Sequence, residues 1–181
     1  MRIITGKYKG RNLKLPEGIR PTQNKVRKAL FDILGDIEGL TFLDLFAGSG
    51  AVGFEALSRG AKGVVLAESN PDSVAAIKEN IAILKPEDFI LYPSDAQKVV
   101  ENLHKSRKTF DIVFLDPPYY KDLAKKTLQT LEGYDILAPN GLIIAQHFKK
   151  ENLPESLGVL SLFRQYKYSQ TLLSLYRKKE P

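Results

Sequence analysis

The sequence contains no cysteine and only two histidines among its 181 residues. Without cysteine the chain forms neither disulfides nor thiolate metal sites, which excludes a disulfide-stapled exported scaffold and makes the cytoplasm the expected compartment. No run approaches the roughly 20 apolar residues that cross a bilayer, and the first residues lack the apolar segment of a signal peptide. We therefore expect a soluble protein that uses no metal and contacts no membrane.

The composition that is present is ordinary for a globular protein. Hydrophobic residues make up 43% of the chain and charged residues 27%, which suits one domain with a sizeable core. We predict a single domain over residues 1–181, in which residues 1–35 form a basic extension packed on the remainder. No internal repeat or low-complexity segment interrupts it.

Acidic residues are scarce at the start of the chain. Residues 1–28 carry nine basic side chains and one acid, a net charge of +8, whereas the rest carries 18 basic and 20 acidic side chains, a net charge of −2. A basic arm on a nearly neutral body is typical of a nucleic-acid-binding protein, although a solvated tail has the same composition. Lys7-Tyr8-Lys9-Gly10-Arg11 also places an aromatic ring among cations, which favours contact with a single strand.

Strand and helix patterns alternate along the chain. Residues 2–15 predict a short β-hairpin, and Thr22 is the predicted N-cap of a helix that ends near Leu34, with Arg27 and Lys28 off its apolar face. Further strands are predicted from Phe42 and at 63–68, 89–92, 110–115, 141–147, 159–167 and 170–177. Helical patterns lie between them at Phe54–Leu57, 71–84, 96–105 and 121–132. This alternation predicts an α/β fold with a mostly parallel sheet, closed by a C-terminal antiparallel pair.

An apolar strand ending at Asp44 runs into a glycine turn that contains Gly48-Ser49-Gly50, and Glu68 ends the next strand. This spacing also matches a dinucleotide fingerprint, in which the acid holds ribose hydroxyls. A carboxylate upstream of the glycines would repel a pyrophosphate but would attract the ammonium group of S-adenosylmethionine. The pattern therefore favours S-adenosylmethionine over NAD, and a tight turn without a ligand is the alternative.

The segment Asp116-Pro117-Pro118-Tyr119 follows a second apolar strand. Two successive prolines cannot continue the strand, and they leave carbonyl groups as acceptors for an exocyclic amine. Asp116 can accept a second N–H of the same amine, while Tyr119 offers a face on which a base can stack. These four residues are the predicted catalytic group of an enzyme that methylates an amino group on a base.

Several of these segments together resemble one known family, the bacterial 16S rRNA guanine-N2-methyltransferases of type D, which act on the small ribosomal subunit. The specific segments are Arg2–Arg11, Arg20-Pro21-Thr22 and Val26–Phe31, whereas Asp44–Gly50 and Asp116–Tyr119 are shared by many amino-group methyltransferases. The resemblance covers nearly the whole chain. It implies a Rossmann-like methyltransferase fold and S-adenosyl-L-methionine as cofactor. It also implies a guanosine of 16S rRNA as substrate, in a partly or fully assembled small ribosomal subunit and approached by a monomer.

The resemblance also assigns residues to roles. Glu68 would hold the ribose, Asn70 would lie beside the adenosyl group, and Asp95-Ala96 would approach the adenine amine. The remaining expected cofactor contacts are Asp44, Phe46, Gly48, Ser49 and Gly50. The expected RNA contacts are Arg11, Arg20, Thr22, Lys25 and Arg27.

One position departs from that family. The fifth strand carries Gln146 where an acidic residue is expected, followed by His147. The other histidine, His104, is expected on a solvated helix face, and a structural role for His147 is favoured over a role as base.

Three other functions share parts of the pattern. A DNA adenine or cytosine amino-methyltransferase would usually need an added recognition domain, for which this chain has no spare length. A non-catalytic nucleic-acid-binding module would not need Asp44, Glu68 and Asp116 at three strand ends. An NAD oxidoreductase is disfavoured by Asp44 and by the basic arm.

Overall fold

The computed structural model describes residues 1–16, 24–119 and 122–179. The chain divides into two compact units, Met1–Asp95 and Ala96–Pro181. The expectation of a single domain stays a prediction. None of the helices in these described ranges combines the length and the apolar character that crossing a membrane requires.

The first unit consists of three strands in parallel with helices between them. Its elements are α1 (Asn24–Leu34), β1 (Thr41–Asp44), α2 (Ala51–Ser58), β2 (Gly63–Ala67), α3 (Pro71–Leu84) and β3 (Phe89–Tyr92). The order β3-β2-β1 and the pairing of Leu43 with Val65 and Leu66 with Leu91 align the carboxyl ends of the strands. Asp44 and the loops after β2 and β3 therefore lie at one edge of the sheet, where ligands bind in parallel α/β proteins.

The N-terminal segment of this unit is less regular than predicted. The hairpin expected over residues 2–15 forms in a short, irregular version. Arg2 and Asn12 make one antiparallel bridge, and the N–H groups of Ile3 and Leu13 donate to the carbonyls of Arg11 and Met1 at 3.0 and 2.6 Å. Ile4 and Thr5 donate instead to the buried carboxylate of Glu55 at 2.7 and 3.1 Å. A side-chain acceptor on α2 thus completes the hydrogen bonding of a segment that is only partly paired.

The second unit joins a parallel strand pair to an antiparallel extension. Its elements are α4 (Ala96–Lys105), β4 (Phe110–Leu115), α5 (Leu123–Gly133), β5 (Leu137–Phe148), β6 (Ser156–Leu157), β7 (Leu160–Tyr168) and β8 (Thr171–Lys178). The order is β4-β5-β8-β7-β6, with β4 and β5 parallel and the other neighbours antiparallel. The predicted α/β architecture and its antiparallel closing pair are confirmed.

The buried faces of both units consist of the residues that the apolar patterns indicated. Strand β1 is buried from Phe42 onward and β4 is buried at Val113–Leu115. Strands β1, β2 and β4 are mostly buried and almost continuously apolar, as expected of parallel strands covered on both sides, whereas Ile90 of β3 is 40% exposed. Only their ends carry polar side chains, which concentrates the chemistry at one edge of each strand group.

Candidate active site

Asp44 closes β1 and is 1% exposed, so its carboxylate lies inside the protein at the strand's end. One carboxylate oxygen, Oδ1, is 3.4 Å from the backbone nitrogen of Phe46, which begins the turn. Gly50 then takes a φ of +77°, and a Cβ atom there would come 2.6 Å from the ring of Phe54. Glycine is required at this position by both conformation and space, because the turn packs directly against the Phe54 ring.

Glu68 connects this turn to the loop after β2. Its carboxylate accepts the backbone N–H of Gly48 at 2.7 Å through one oxygen and that of Asn70 at 2.8 Å through the other. Each carboxylate oxygen has a further lone pair, so the half-buried group can still accept hydroxyl donors. Sequence reasoning assigned Glu68 a ligand role and missed this second task of fixing the two loops against each other.

Asn70 has a role in the fold that the sequence did not reveal. It is the N-cap of α3, and its amide oxygen accepts the N–H groups of Asp72 and Ser73 at 2.9 and 3.0 Å. Its amide nitrogen, as a donor, is the group that can face a ligand. Asp95 is exposed after β3, and Ala96 is buried as the first residue of α4.

The Asp116–Tyr119 turn begins one residue beyond β4. Asp116 and Tyr119 are half-buried, Pro117 is buried and Pro118 is exposed. The prolines end the strand at Leu115 as predicted, because neither can donate to the ladder. The turn therefore presents one carboxylate and one aromatic ring at the carboxyl end of β4.

The Tyr119 side chain is fixed by contacts on both its ends. Its hydroxyl is 3.0 Å from Oγ1 of Thr171 and is also hydrogen-bonded by Gln146. Its ring lies 5.8 Å from the ring of Phe148, centroid to centroid, at 37°. Burial raises the pKa of Tyr119, the Thr171 hydrogen bond opposes that shift, and the nearby charge of Asp116 adds to it. Both burial and the Asp116 charge therefore favour the neutral phenol.

Gln146 and His147 separate onto the two faces of β5. The β4–β5 register pairs Leu115 with Ala145, so Gln146 follows at the level of Asp116. His147 is 1% exposed and its Nε2 lies 2.7 Å from Oγ of Ser174. Burial lowers the pKa of His147, opposed by a hydrogen bond to the Phe148 carbonyl and by the charge of Glu151. These contacts give His147 a structural role in the antiparallel part of the sheet.

The basic arm is held firmly by α2 and α3. Tyr8 donates its N–H to Ser58 Oγ at 2.9 Å, and Lys14 donates its N–H to Asn80 Oδ1 at 2.7 Å. Gly6 passes so close to the Ser58 carbonyl, at a φ of +81°, that a Cβ atom would overlap it. The arm therefore carries its exposed cations, among them Lys9 and Arg11, on an ordered backbone.

The five expected RNA contacts do not share one environment. Arg11 and Lys25 are exposed, whereas Arg20 and Thr22 lie outside the described residues. Arg27 is a correction: it is 0% exposed, and its guanidinium donates to the Arg2 carbonyl and to Oδ1 of Asn24. A side chain enclosed in this way has no surface for a phosphate, so Arg27 holds the arm and does not contact RNA.

No group of three or more histidine, aspartate or glutamate side chains suited to a metal ion occurs in the described part of the chain.

Comparison with known proteins places these features in a family. The model of the family described as conserved hypothetical protein 95 matches residues 1–177. Ribosomal RNA small subunit methyltransferase D of Escherichia coli K12 is 36% identical over 181 residues, which covers 98% of this chain and 90% of that protein.

Solved structures agree with this match. The YhhF structure from Escherichia coli has a TM-score of 0.85 at 35% identity, covering 99% of this chain and 98% of that one. A ribosomal protein L11 methylase of Lactobacillus delbrueckii shares only the fold, with a TM-score of 0.71 at 17% identity over 96% of this chain and 88% of that one. The Rossmann-like methyltransferase fold implied by the sequence is thereby confirmed, and the chain belongs to the conserved hypothetical protein 95 family, which includes the rRNA small subunit methyltransferases of type D.

Proposed function

We propose that this protein transfers a methyl group from S-adenosyl-L-methionine to the exocyclic N2 amine of a guanosine in 16S rRNA. The observation that carries the proposal is the turn after β4, where Asp116 stands beside a fixed Tyr119 ring. Membership of a family that includes rRNA small subunit methyltransferase D supports an rRNA methyltransferase of this fold.

The residues after β1 and β2 fit S-adenosylmethionine. The buried carboxylate of Asp44 suits the ammonium group, because a carboxylate removed from water attracts a cation several times more strongly than an exposed one. Gly48 and Gly50 allow close backbone approach, and Glu68 retains lone pairs for ribose hydroxyls. Phe46, Ser49, Asn70, Asp95 and Ala96 complete the proposed contacts. When bound, the cofactor supplies an electrophilic methyl group.

Asp116 and Pro117 would activate the guanine amine, which is the nucleophile of the proposed reaction. An exocyclic guanine amine is a poor nucleophile because its lone pair is delocalised into the ring. Asp116 and the Pro117 carbonyl can each accept one N–H of the amine, which localises that lone pair on nitrogen and aims it. Orientation of this kind contributes up to about 7–11 kcal/mol of a barrier. The proton leaves to water or to Asp116 after transfer.

Tyr119 and the arm hold the RNA. A base turned out of an RNA loop can stack on the half-buried Tyr119 ring, which is worth roughly 1–3 kcal/mol. Exposed Arg11 and Lys25 supply phosphate contacts, and we assign Arg20 and Thr22 to the same surface on the resemblance alone. The partner we propose is a partly or fully assembled small ribosomal subunit in the cytoplasm, approached by a monomer.

The test is methyl transfer from labelled S-adenosylmethionine to separate pools of small subunits, free 16S rRNA, tRNA and DNA. We expect label in small subunits or 16S rRNA, recovered as N2-methylguanosine after digestion to nucleosides. Methylated adenine or cytosine in DNA would establish the DNA alternative instead. Calorimetry should show binding of S-adenosylmethionine but not of NAD, and tight NAD binding would contradict the cofactor assignment.

A further inference from the structure

Gln146 carries a buried acceptor that the fold does not use. The side chain is 5% exposed, and its Oε1 has no hydrogen-bond partner within residues 1–16, 24–119 and 122–179. A buried carbonyl oxygen without a partner is unfavourable, and such atoms in native proteins call for a specific explanation.

The amide nitrogen of Gln146, in contrast, has a hydrogen-bond partner. Gln146 is hydrogen-bonded to the Tyr119 hydroxyl, and since Oε1 is unpaired this bond must come from the amide nitrogen. Tyr119 therefore accepts from Gln146 and has its own proton left for Oγ1 of Thr171, 3.0 Å away. The chain of contacts fixes the amide in one orientation, with its oxygen on the side away from the phenol.

Strand register brings Gln146 to the level of the acceptor turn. Leu115 of β4 pairs with Ala145 of β5, so the next residues along these parallel strands, Asp116 and Gln146, are neighbours. Asp116 and Gln146 also act on the same phenol, the first through its charge and the second through a hydrogen bond. The Asp116 carboxylate and the Gln146 side chain thus both lie near the Tyr119 hydroxyl.

We propose that Gln146 determines base specificity by accepting, through Oε1, the N1–H of the target guanine while Asp116 and the Pro117 carbonyl hold the N2 amine. This rests on the proposed function and adds to it. The N1–H and the N2 amine are adjacent donors on guanine. Adenine, with its amine held in the same place, would bring the unprotonated N1 against Oε1, lone pair against lone pair. A site built to receive a hydrogen-bond donor rejects an analogue that lacks it.

The first measurement is binding, independent of methyl transfer. In ¹⁵N-labelled protein the Gln146 side-chain amide signal is identified by its loss in Gln146→Met, and guanosine monophosphate is titrated against 1-methylguanosine monophosphate, which lacks the N1–H. With guanosine monophosphate we expect the chemical shifts of both Gln146 and Tyr119 to change until the site is saturated. With 1-methylguanosine monophosphate we expect the Tyr119 shift to change and the Gln146 shift to change little. Equal movement of Gln146 with both ligands, or none with either, would overturn the proposal.

The second measurement is steady-state kinetics on small subunits. Gln146→Met, of similar size, should lower kcat/KM about 10- to 100-fold with unchanged affinity for S-adenosylmethionine. Gln146→Glu keeps an acceptor and should recover most of the rate at pH 8. Its rate should then fall as the pH falls, because Asp116 and Glu151 nearby favour protonation of the introduced carboxylate.

Two further variants separate this role from a structural one. Thr171→Val removes the other partner of the Tyr119 hydroxyl and should not alter the preference for guanosine monophosphate over its 1-methyl form. Gln129→Met, at an exposed site in α5, should leave both measurements unchanged. The specificity role would be contradicted if Gln146→Met methylated RNA at the wild-type rate. It would also be contradicted if Gln146→Glu had the same rate as Gln146→Met at every pH. A wild-type protein that methylates no RNA, with the nucleotide shifts intact, would contradict only the proposed function.

Discussion

Two aspartates at strand ends show how the same residue type takes different tasks at the scale of single side chains. Asp44 is buried at the end of β1, beside a glycine turn, whereas Asp116 is half-buried and followed by two prolines. A buried carboxylate beside a glycine turn suits a cationic ligand group, and a partly open carboxylate suits an amine that donates hydrogen bonds. In the proposed function the first binds the methyl donor and the second the acceptor.

This division predicts the behaviour of Asp116→Ala. Loss of the group that orients the amine should reduce kcat by about 100-fold or more, while the dissociation constant for S-adenosylmethionine stays within a few-fold. Methyl transfer and calorimetry on the same preparation measure both. Asp135→Ala, which removes an exposed carboxylate paired with Lys178, is the matched control and should be as active as wild type. A comparable loss of donor binding in Asp116→Ala would assign Asp116 a structural role instead.

At the scale of elements, periodicity and turn residues predicted where helices and strands lie, whereas the contacts of polar side chains were not predicted. Helix α4 spans 96–105 and β3 spans 89–92 as predicted, since apolar spacing and capping are local signals. The predicted exposed position of Arg27 was wrong, and the N-terminal hairpin is shorter and less regular than predicted. Part of the arm's backbone is satisfied by Glu55, which is fully buried in α2 and lies 51 residues from Ile4 along the chain. No local pattern reveals that a charge in one helix will satisfy the backbone of a distant arm.

The same limit applies to the candidate site. Asp44, the glycine turn, Glu68 and the Asp116–Tyr119 turn stand at strand ends, where the alternation of a parallel α/β sequence is sufficient to place them. Asn70 directly before Pro71 is a recognisable N-cap pattern, so its capping role could have been predicted from the sequence. The unpaired oxygen of Gln146 could not, because it depends on which donors remain after the fold has formed.

Helix α1 offers a direct test of the correction at Arg27. Arg27 and Lys28 are adjacent cations, but Arg27 is buried beside the charge of Glu55, and Lys28 is exposed and pairs only with Asp32 at 2.7 Å among the described residues. Arg27→Met should lower the free energy of unfolding by about 3 kcal/mol, and Lys28→Ala by no more than about 0.5 kcal/mol. Urea unfolding followed by circular dichroism measures both. Equal and small losses would show that the enclosed guanidinium does not hold the arm.

His147, in β5, makes the folding stability of the protein depend on pH. Burial lowers the folded-state pKa of His147 below 6.5, so the unfolded chain binds a proton that the folded chain resists. The stability is therefore full above pH 6.5, the pKa of histidine in the unfolded chain, and falls as the pH drops towards the pKa of His147 in the folded protein. The loss is about 1.4 kcal/mol for each pH unit between these two pKa values.

We therefore expect the melting temperature of the wild type to fall more between pH 7 and pH 5 than that of His147→Leu. The leucine variant should be less stable at pH 7, because it loses the bond to Ser174, and less sensitive to acid. His104→Gln, at an exposed site in α4, should keep the wild-type pH dependence. If the melting temperatures of wild type and His147→Leu fell equally between pH 7 and pH 5, His147 would not contribute to the pH dependence of stability.

At the scale of the whole molecule, charge is separated along the chain, +8 in residues 1–28 against −2 in the remainder. Hydrogen bonds from the arm to Glu55, Ser58 and Asn80 fix its backbone. In the proposed function this prearranged cationic surface loses little conformational freedom on binding RNA, so its charge acts on affinity. The catalytic groups proposed above lie elsewhere in the sequence, and the arm should affect KM rather than kcat.

The replacement of Lys9 and Arg11 together by alanine tests this separation. Both are exposed, and each phosphate contact on a single strand contributes about 0.7 to the slope of log affinity against log salt, so the slope should flatten by up to about 1.4. Apparent KM for RNA should rise at low salt, with kcat and S-adenosylmethionine affinity unchanged. The matched control is Lys105→Ala with Lys108→Ala, the same loss of charge at exposed sites just before β4, away from the strand's carboxyl end. If both double variants flatten the slope equally, net charge alone accounts for RNA affinity, and the ordered arm is not its specific source.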